Sequence, residues 1–356
     1  MKSQNILLLI EVPQHQHGGT TYINNIIYSR LKNDKRFLFY IVNFSANVSE
    51  VSKFSIQKII RNFKIIAKSW FIFFINKPVK VYLPLSATKF GIVRDFLLIL
   101  PSVLFGGKKI LHLHGFTYFK IYKESLLYRT ILRVLDINSV YIGLCERQRL
   151  LVDSNFKKKT FVLYNTLNED FYFKIKKKEK NKKKINLLYI SNISKGKGQV
   201  DLINSVKHLN NIKLTLAGTL LNESKEFMDK FNKLIINNKD KIDYIGYADE
   251  LMKMELFKKN DIFCMPSKLE EGSPVVIIEA MAHGLPIIAI NKGCINEMIE
   301  GCGCIIDVFD ELKFKIALEY VVSNYDILSK NCINNFNNKY KQDTFIKNFK
   351  DILTHC

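Results

Sequence analysis

Short apolar runs alternate with longer amphipathic stretches along this chain, and the pattern occurs twice. In the first half the runs are NILLLIEV (5–12), FLFYIVNF (37–44), VKVYLPL (79–85), KKILHLHGF (108–116), SVYIGLC (139–145) and TFVLYN (160–165). Each is the length of a strand and apolar almost throughout, as strands buried on both faces of a parallel sheet are. After the first run comes Gly18-Gly19 and then TTYINNIIYSRL, which has helical periodicity. A nearly pure charge run, KIKKKEKNKKK (174–184), interrupts the pattern. It then restarts with INLLYIS, IKLTLAG, IDYIGYA, DIFCMPS and LPIIAI, again separated by helix-compatible segments. Strands alternating with helices predict an α/β chain with two doubly wound parallel sheets.

The length of 356 residues fits two domains at about 150 residues each. The expected division is a first domain over 1–170, a basic linker over 171–184, a second domain over 185–335 and a terminal segment over 336–356. Within that last segment KYKQDTFIKNFKDIL reads as an amphipathic helix. Seven scattered cysteines without a CxxC pair argue against a zinc site or a disulfide framework and fit a reducing cytoplasm. The apolar run Ile6 to Ile10 is too short for a signal-peptide core. No stretch of about 20 uncharged apolar residues is present, so no membrane span is expected.

A formal net charge of +21 nominates nucleic acid, an anionic membrane surface or phosphorylated ligands as partners. Nucleic acid is set aside, because the lysine run carries no interleaved aromatics on which bases would stack. Lys53 to Lys77 alternates basic residues with Ile, Phe and Trp70 at helical spacing. Such a segment either lies on an anionic membrane surface or is an ordinary amphipathic core helix.

Candidate chemistry concentrates in LEEGSPVVIIEAMAHGLPI (269–287). Ser273 and Pro274 read as N-cap and first helical residue, and Gly284 as the residue after the helix end. Glu279 then lies inside a short, largely buried helix, with Glu271 in the turn before it. Carboxylates placed there are either solvated or capping, or they accept hydrogen bonds from a polyhydroxylated ligand. Ser191 to Gln199, SNISKGKGQ, follows a strand and opens a helix. Lys195 and Lys197 with the helix amides supply what a diphosphate needs, unless the loop is a lysine-rich surface turn. It is neither a Walker loop nor a complete GxGxxG.

The segment EEGSPVVIIEAMAHGLPII resembles the signature of retaining glycosyltransferases of the GT-B fold, family 4, in which two glutamates flank the start of a helix. Gly18-Gly19, HLHG (112–115), Lys197-Gly198, LAG (216–218) and DIFCMPS occur in the matching order. The resemblance implies two Rossmann-like domains facing a cleft, with the terminal helix crossing back onto the first. It implies that Lys197 neutralises the donor diphosphate and that Glu279 holds the ribose. Glu271 would contact the donor sugar together with the backbone of Gly272, Ser273, Pro274 and Val275. His114 would lie near the anomeric centre, and Gly18 and Gly19 would abut the donor phosphates.

Two positions depart from the pattern. Ser191-Asn192 stands where the family usually has Gly-Arg, which leaves Lys195 to compensate for the lost cation at Asn192. Ser273 replaces a Phe or Leu, which bears on donor preference. No Asp-x-Asp triplet occurs, so neither metal nor cofactor is expected, and the nucleotide sugar is a substrate. The implied function is transfer from a UDP- or GDP-sugar to a saccharide or lipid-linked oligosaccharide in bacterial O-antigen, capsule or exopolysaccharide assembly. The expected location is cytoplasmic, peripheral on the inner face of the plasma membrane. A noncatalytic nucleotide-sugar binder and a GT-B epimerase are the alternatives.

Overall fold

A computed structural model describes residues 4–12, 19–43, 56–169 and 184–356. Gly18 and the basic run at 171–183 lie outside the described residues, as does the start of the segment from Lys53. The chain forms two compact units, one of residues 1–165 with 345–356, the other of residues 166–344.

The first unit runs β1 (Gln4–Ile10), α1 (Gly19–Leu31), β2 (Phe37–Asn43), α2 (Ile56–Asn76), β3 (Lys80–Leu85), α3 (Lys89–Leu104), β4 (Lys108–Leu113), α4 (Thr117–Glu124), α5 (Leu126–Leu135), β5 (Ser139–Gly143), α6 (Glu146–Phe156) and β6 (Thr160–Val162). Its six strands are all parallel, in the order β2-β1-β3-β4-β5-β6. Ile6 to Ile10 are almost completely buried, as are Val81 to Leu83 and Ile110 to Leu113. Burying each such Leu or Ile contributes about 1.5–3 kcal/mol, which is why the apolar runs become central strands.

Pro84 modifies this sheet. The ladder between β1 and β3 stops at Leu8 opposite Tyr82, although β1 continues to Ile10. Proline has no N–H to donate to a ladder, so β3 stops bonding to β1 before the proline. The chain order reverses between these same two strands, so the first sheet has its topological switch where the ladder ends.

The second unit runs β7 (Ile185–Ile190), a 3-10 turn (Lys195–Lys197), α7 (Gln199–Val206), β8 (Ile212–Ala217), α8 (Lys225–Asn237), β9 (Ile242–Tyr244), α9 (Glu250–Lys259), β10 (Ile262–Met265), α10 (Val275–Ala282), β11 (Ile287–Ile290), α11 (Ile295–Met298), β12 (Gly303–Ile306), α12 (Glu311–Ser323) and α13 (Tyr325–Asn335). The order is β12-β11-β10-β7-β8-β9, all parallel, with the switch between β7 and β10. Helix starts carry side-chain caps: Asp249 accepts from the Met252 amide at 2.8 Å and Asp310 from the Lys313 amide at 2.8 Å.

One local expectation is corrected. The helix of the glutamate signature begins at Val275, with Pro274 in the cap position and no side-chain cap. Ser273 therefore sits one residue further out and is not the N-cap. Gly284, with φ +68°, does follow the helix end.

The terminal helix α14 (Gln342–His355) belongs to the first unit from Phe345 onward. Phe345, Phe349, Ile352 and Leu353 enter its core, and Phe349 packs edge-on against Tyr82 at 5.1 Å. The Lys80 ammonium donates to the Leu353 carbonyl and to Gln4 Oε1 at 3.0 Å. A cation at the last turn satisfies carbonyls that helix geometry leaves without partners.

Candidate functional site

In the second unit the loops after β7 and β10 emerge on either side of the switch point, where open α/β sheets bind ligands. The first loop, Ser191 to Gly198, turns through Lys195–Lys197 into α7. Gly198 has φ +76°, and a Cβ there would lie 2.0 Å from the Pro266 carbonyl oxygen. Only glycine permits this approach, so the lysine loop rests directly on the start of the second loop. The Lys268 amide donates to the Gly196 carbonyl at 3.0 Å and ties the two loops together.

This contact brings Lys197 to Glu271: Nζ stands 2.7 Å from Oε1. The same carboxylate oxygen accepts from Ser267 Oγ at 2.5 Å. Ser267 is fully buried, so it holds Glu271 in one orientation. The Glu271 carbonyl accepts from the Cys294 amide at 3.0 Å, and Glu270 Oε2 accepts from the Gly293 amide at 2.9 Å. Gly293 has φ +60°, and its missing Cβ would lie 1.7 Å from the Glu271 carbonyl oxygen. The glutamate loop is thus held from within by Ser267 and from two other segments by Lys197 and by the amides of Gly293 and Cys294.

Glu279, within α10, is 3% exposed. A carboxylate buried to that degree requires a partner. The partner is Lys253 on α9, whose ammonium donates to Glu279 Oε1. Among the donor-side candidates, Asn192 and Lys195 are exposed, and the Lys195 amide reaches Glu223 Oε1 at 3.3 Å. Gly272, Pro274 and Val275 are half-buried, and Ser273 is buried. Gly19 begins α1 in the first unit.

His114 also belongs to the first unit and follows β4. Its ring lies 4.1 Å from that of His112, whose Nδ1 is 2.7 Å from the Tyr82 hydroxyl. Burial pushes the His114 imidazole down to about 4 and His112 well below the usual histidine range. Both are therefore neutral near pH 7. A neutral imidazole can exchange hydrogen bonds with a hydroxyl but supplies no charge to a leaving group.

Lys253 and Ser267 were not singled out from the sequence, nor was Glu11 at the end of β1. Lys253 reads as one of several charges in DELMKMELFKKN, and nothing in its spacing points to a glutamate 26 residues away. Ser267 and Glu11 did leave a signal: each is a polar residue next to the carboxyl end of an apolar strand, the edge at which such sheets bind ligands.

Taken together, Lys197 and Lys253 neutralise Glu271 and Glu279 at the carboxyl edge of a doubly wound sheet. Both acids can exchange these partners for hydroxyls, and Lys197 can exchange Glu271 for phosphate oxygens.

The profile of the family described as Glycosyl transferases group 1 matches residues 170–352. The chain is 26% identical over 205 residues to an uncharacterised 41.2 kDa protein in the cps region of Klebsiella pneumoniae, covering 55% of each chain. It is 31% identical over 121 residues to UDP-Gal:alpha-D-GlcNAc-diphosphoundecaprenol alpha-1,3-galactosyltransferase of Escherichia coli, covering 33% of this chain and 30% of that protein. The matches thus span about half the length of the first relative and less than a third of the second. Among solved structures, Anabaena HepE in complex with UDP superposes with a TM-score of 0.73 at 14% identity, covering 99% of this chain and 100% of that one. With the signature glutamates held at the edge of the second sheet and the family profile spanning that unit, the chain belongs to the group 1 glycosyltransferases and has the GT-B fold.

Proposed function

We propose that the chain is a retaining glycosyltransferase of family 4 that moves a sugar from a UDP- or GDP-sugar to a saccharide or lipid-linked saccharide during assembly of a bacterial surface polysaccharide. The observation that carries this reading is the Lys197–Glu271 pair, 2.7 Å apart at the switch point of the second sheet. On donor binding, Lys197 turns to the diphosphate and Glu271 accepts hydroxyls of the donor sugar, while Ser267 keeps the carboxylate in place. Glu279 accepts the ribose hydroxyls. The leaving diphosphate is the principal electrostatic demand of the reaction, and Lys197 with the amides opening α10 balances it. The absence of an Asp-x-Asp triplet supports a metal-independent reaction. In the retaining mechanism the acceptor hydroxyl attacks on the face the diphosphate leaves, and its proton passes to a departing phosphate oxygen. HepE in complex with UDP and the Escherichia coli UDP-Gal enzyme support a uridine nucleotide as donor.

Membrane-side action belongs to the same proposal. The end of α2 exposes Phe71, Phe74 and Ile75, and the end of α3 exposes Leu104, with Phe105 beside it. Phe74 and Phe105 meet edge to face at 5.2 Å, and Lys64, Lys68 and Lys77 are exposed on the same helix or next to it. Apolar side chains with flanking ammonium groups suit the interface of an anionic bilayer. No helix among the described residues is long and apolar enough to cross a membrane.

A thermal-shift comparison of UDP, GDP and their sugars against other nucleotides tests the donor. Saturation at a hundred times Kd stabilises by about 2.7 kcal/mol, which is about 5–10 °C in a unit of this size. The absence of a shift with every uridine and guanosine ligand would remove the donor assignment. Glu271→Ala separates enzyme from binder: an enzyme loses sugar transfer and donor hydrolysis with this change, whereas a binder shows neither in the wild type.

A further inference from the structure

Helix α12 packs Phe314, Ala317, Leu318 and Val321 into the core of the second unit. These positions form the stripe that a helix of 3.6 residues per turn turns toward its neighbours, and the side opposite such a stripe is normally polar. On α12 that outer side carries Leu312, Ile316 and Tyr320, which are 68%, 58% and 49% exposed. Val308, four residues before Leu312, is exposed as well. Single exposed apolar residues are ordinary on a protein surface. A row at i, i+4 and i+8 is instead a ridge, the form in which one helix packs against another.

The surrounding charges select what covers this ridge. Asp307, Asp310, Glu311 and Glu319 are exposed around it, with Lys313 and Lys315, so four carboxylates stand against two ammonium groups. The local balance is −2 in a chain of formal charge +21. Such a rim repels an anionic bilayer or a nucleic acid, whereas the exposed end of α2 is flanked by lysines and attracts one. Lys313 is engaged within the chain, its ammonium 2.8 Å from the Asp307 carboxylate.

The two remaining charges beside the ridge are complementary to each other. Lys315 and Glu319 lie four residues apart, on one flank of the row. A second copy of the helix laid antiparallel across the first, about a two-fold axis near Ile316, sets Ile316 against Ile316 of the second copy. Leu312 then meets Tyr320 of the second copy, and Lys315 meets Glu319 of the second copy. The two-fold repeats each contact, as an isologous interface requires. All three apolar residues are covered, and both charges on that flank are paired.

We propose that the outer face of α12 docks a second copy of this chain, giving a two-fold dimer through antiparallel α12 helices. Ile316 forms its centre, and the Lys315–Glu319 pairs fix its direction. The 13 residues of α12 span about 20 Å. One helix pair of that length buries less than the roughly 1,200 Å² at which stable complexes begin, so monomer and dimer exchange in the micromolar range. None of these residues lies in the lysine or glutamate loops, so the inference stands apart from the donor reading.

The test is sedimentation velocity on the full chain over about 5–500 µM, a range that brackets such an affinity. The weight-average mass should rise with concentration from 41.4 kDa toward twice that value. Ile316→Glu should remain monomeric throughout, because it sets two carboxylates face to face at the axis. Lys315→Glu and Glu319→Lys should each weaken the dimer by about tenfold, since each turns two symmetric ion pairs into like-charge contacts. Combining the two changes should restore the wild-type affinity, because the pairs return with their roles exchanged. Circular dichroism of each variant should match the wild type, as Glu and Lys are both good helix formers. A wild type that stays monomeric, a dimer undiminished in Ile316→Glu, or a charge exchange that fails to recover association would overturn the proposal. Anionic vesicles that sediment the wild type but not Ile316→Glu would place a membrane on this face and overturn it equally.

Discussion

Replacing Lys253 with Met should destabilise the second unit by about 2–3 kcal/mol. The reasoning starts from Glu279, whose side chain is 4% exposed, and from Lys253, whose side chain is 23% exposed. Removing one partner of a fully buried ion pair costs about 3–5 kcal/mol, because the other charge is left uncompensated. An exposed pair is worth only about 0–1 kcal/mol. With the carboxylate inside and the ammonium partly open to water, this pair falls between those limits. For a unit of this size the loss corresponds to a fall in Tm of about 5–10 °C. A double-mutant cycle with Glu279→Gln isolates the pair: the double variant should recover about 2 kcal/mol relative to the sum of the single changes, since no charge is then stranded. Urea unfolding followed by circular dichroism gives both numbers. If Lys253→Met unfolds with the wild type, or if the two changes add within about 0.5 kcal/mol, the pair does not hold the buried carboxylate and the account of α9 fails.

Other outcomes follow from the same geometry. Lys197→Ala should lower kcat/KM for the donor by about 10²–10³, typical for the loss of one group that stabilises developing charge, and unchanged turnover would take Lys197 out of the leaving-group role. Gly293→Ala should destabilise by about 2–3 kcal/mol, because φ is +60° and the new Cβ would collide with the Glu271 carbonyl; a wild-type Tm would contradict that contact. Burial pushes His114 and His283 each down to about 4 and His112 well below its usual value, so the folded chain refuses protons that the unfolded chain accepts below about pH 6.5. Stability should therefore be complete above pH 6.5 and fall as pH drops toward 4, by at most about 3 kcal/mol for each of His114 and His283; a melting temperature flat over this window would refute the assignment. Phe71→Ser combined with Phe105→Ser should abolish sedimentation with anionic vesicles, whereas undiminished binding would move the membrane contact elsewhere.

Much of the fold is legible in the sequence. Parallel strands covered on both faces must be apolar throughout, and NILLLIEV or INLLYIS can do little else in water. The signature helix was legible too, down to the burial of Glu279. Its first residue was not, because proline at a cap and proline in the first turn leave the same trace in the sequence; Ser273 was displaced by one position for that reason. The strand Gly303–Ile306 also went unread, since four residues beginning with glycine carry too little periodicity.

What the amino-acid order settles by itself is local: which runs become buried strands, which glycines end helices, and which loops carry cations and carboxylates to the edge of a sheet. Tertiary structure alone decided that Glu271 is held by Lys197 and Ser267, that Glu279 is held by Lys253, and that Pro84 ends a ladder at the switch point of the first sheet. The physical reason is distance along the chain. Apolar burial and backbone bonding act over a few residues and leave a periodic trace, whereas an ion pair joins two elements at a separation that no pattern encodes.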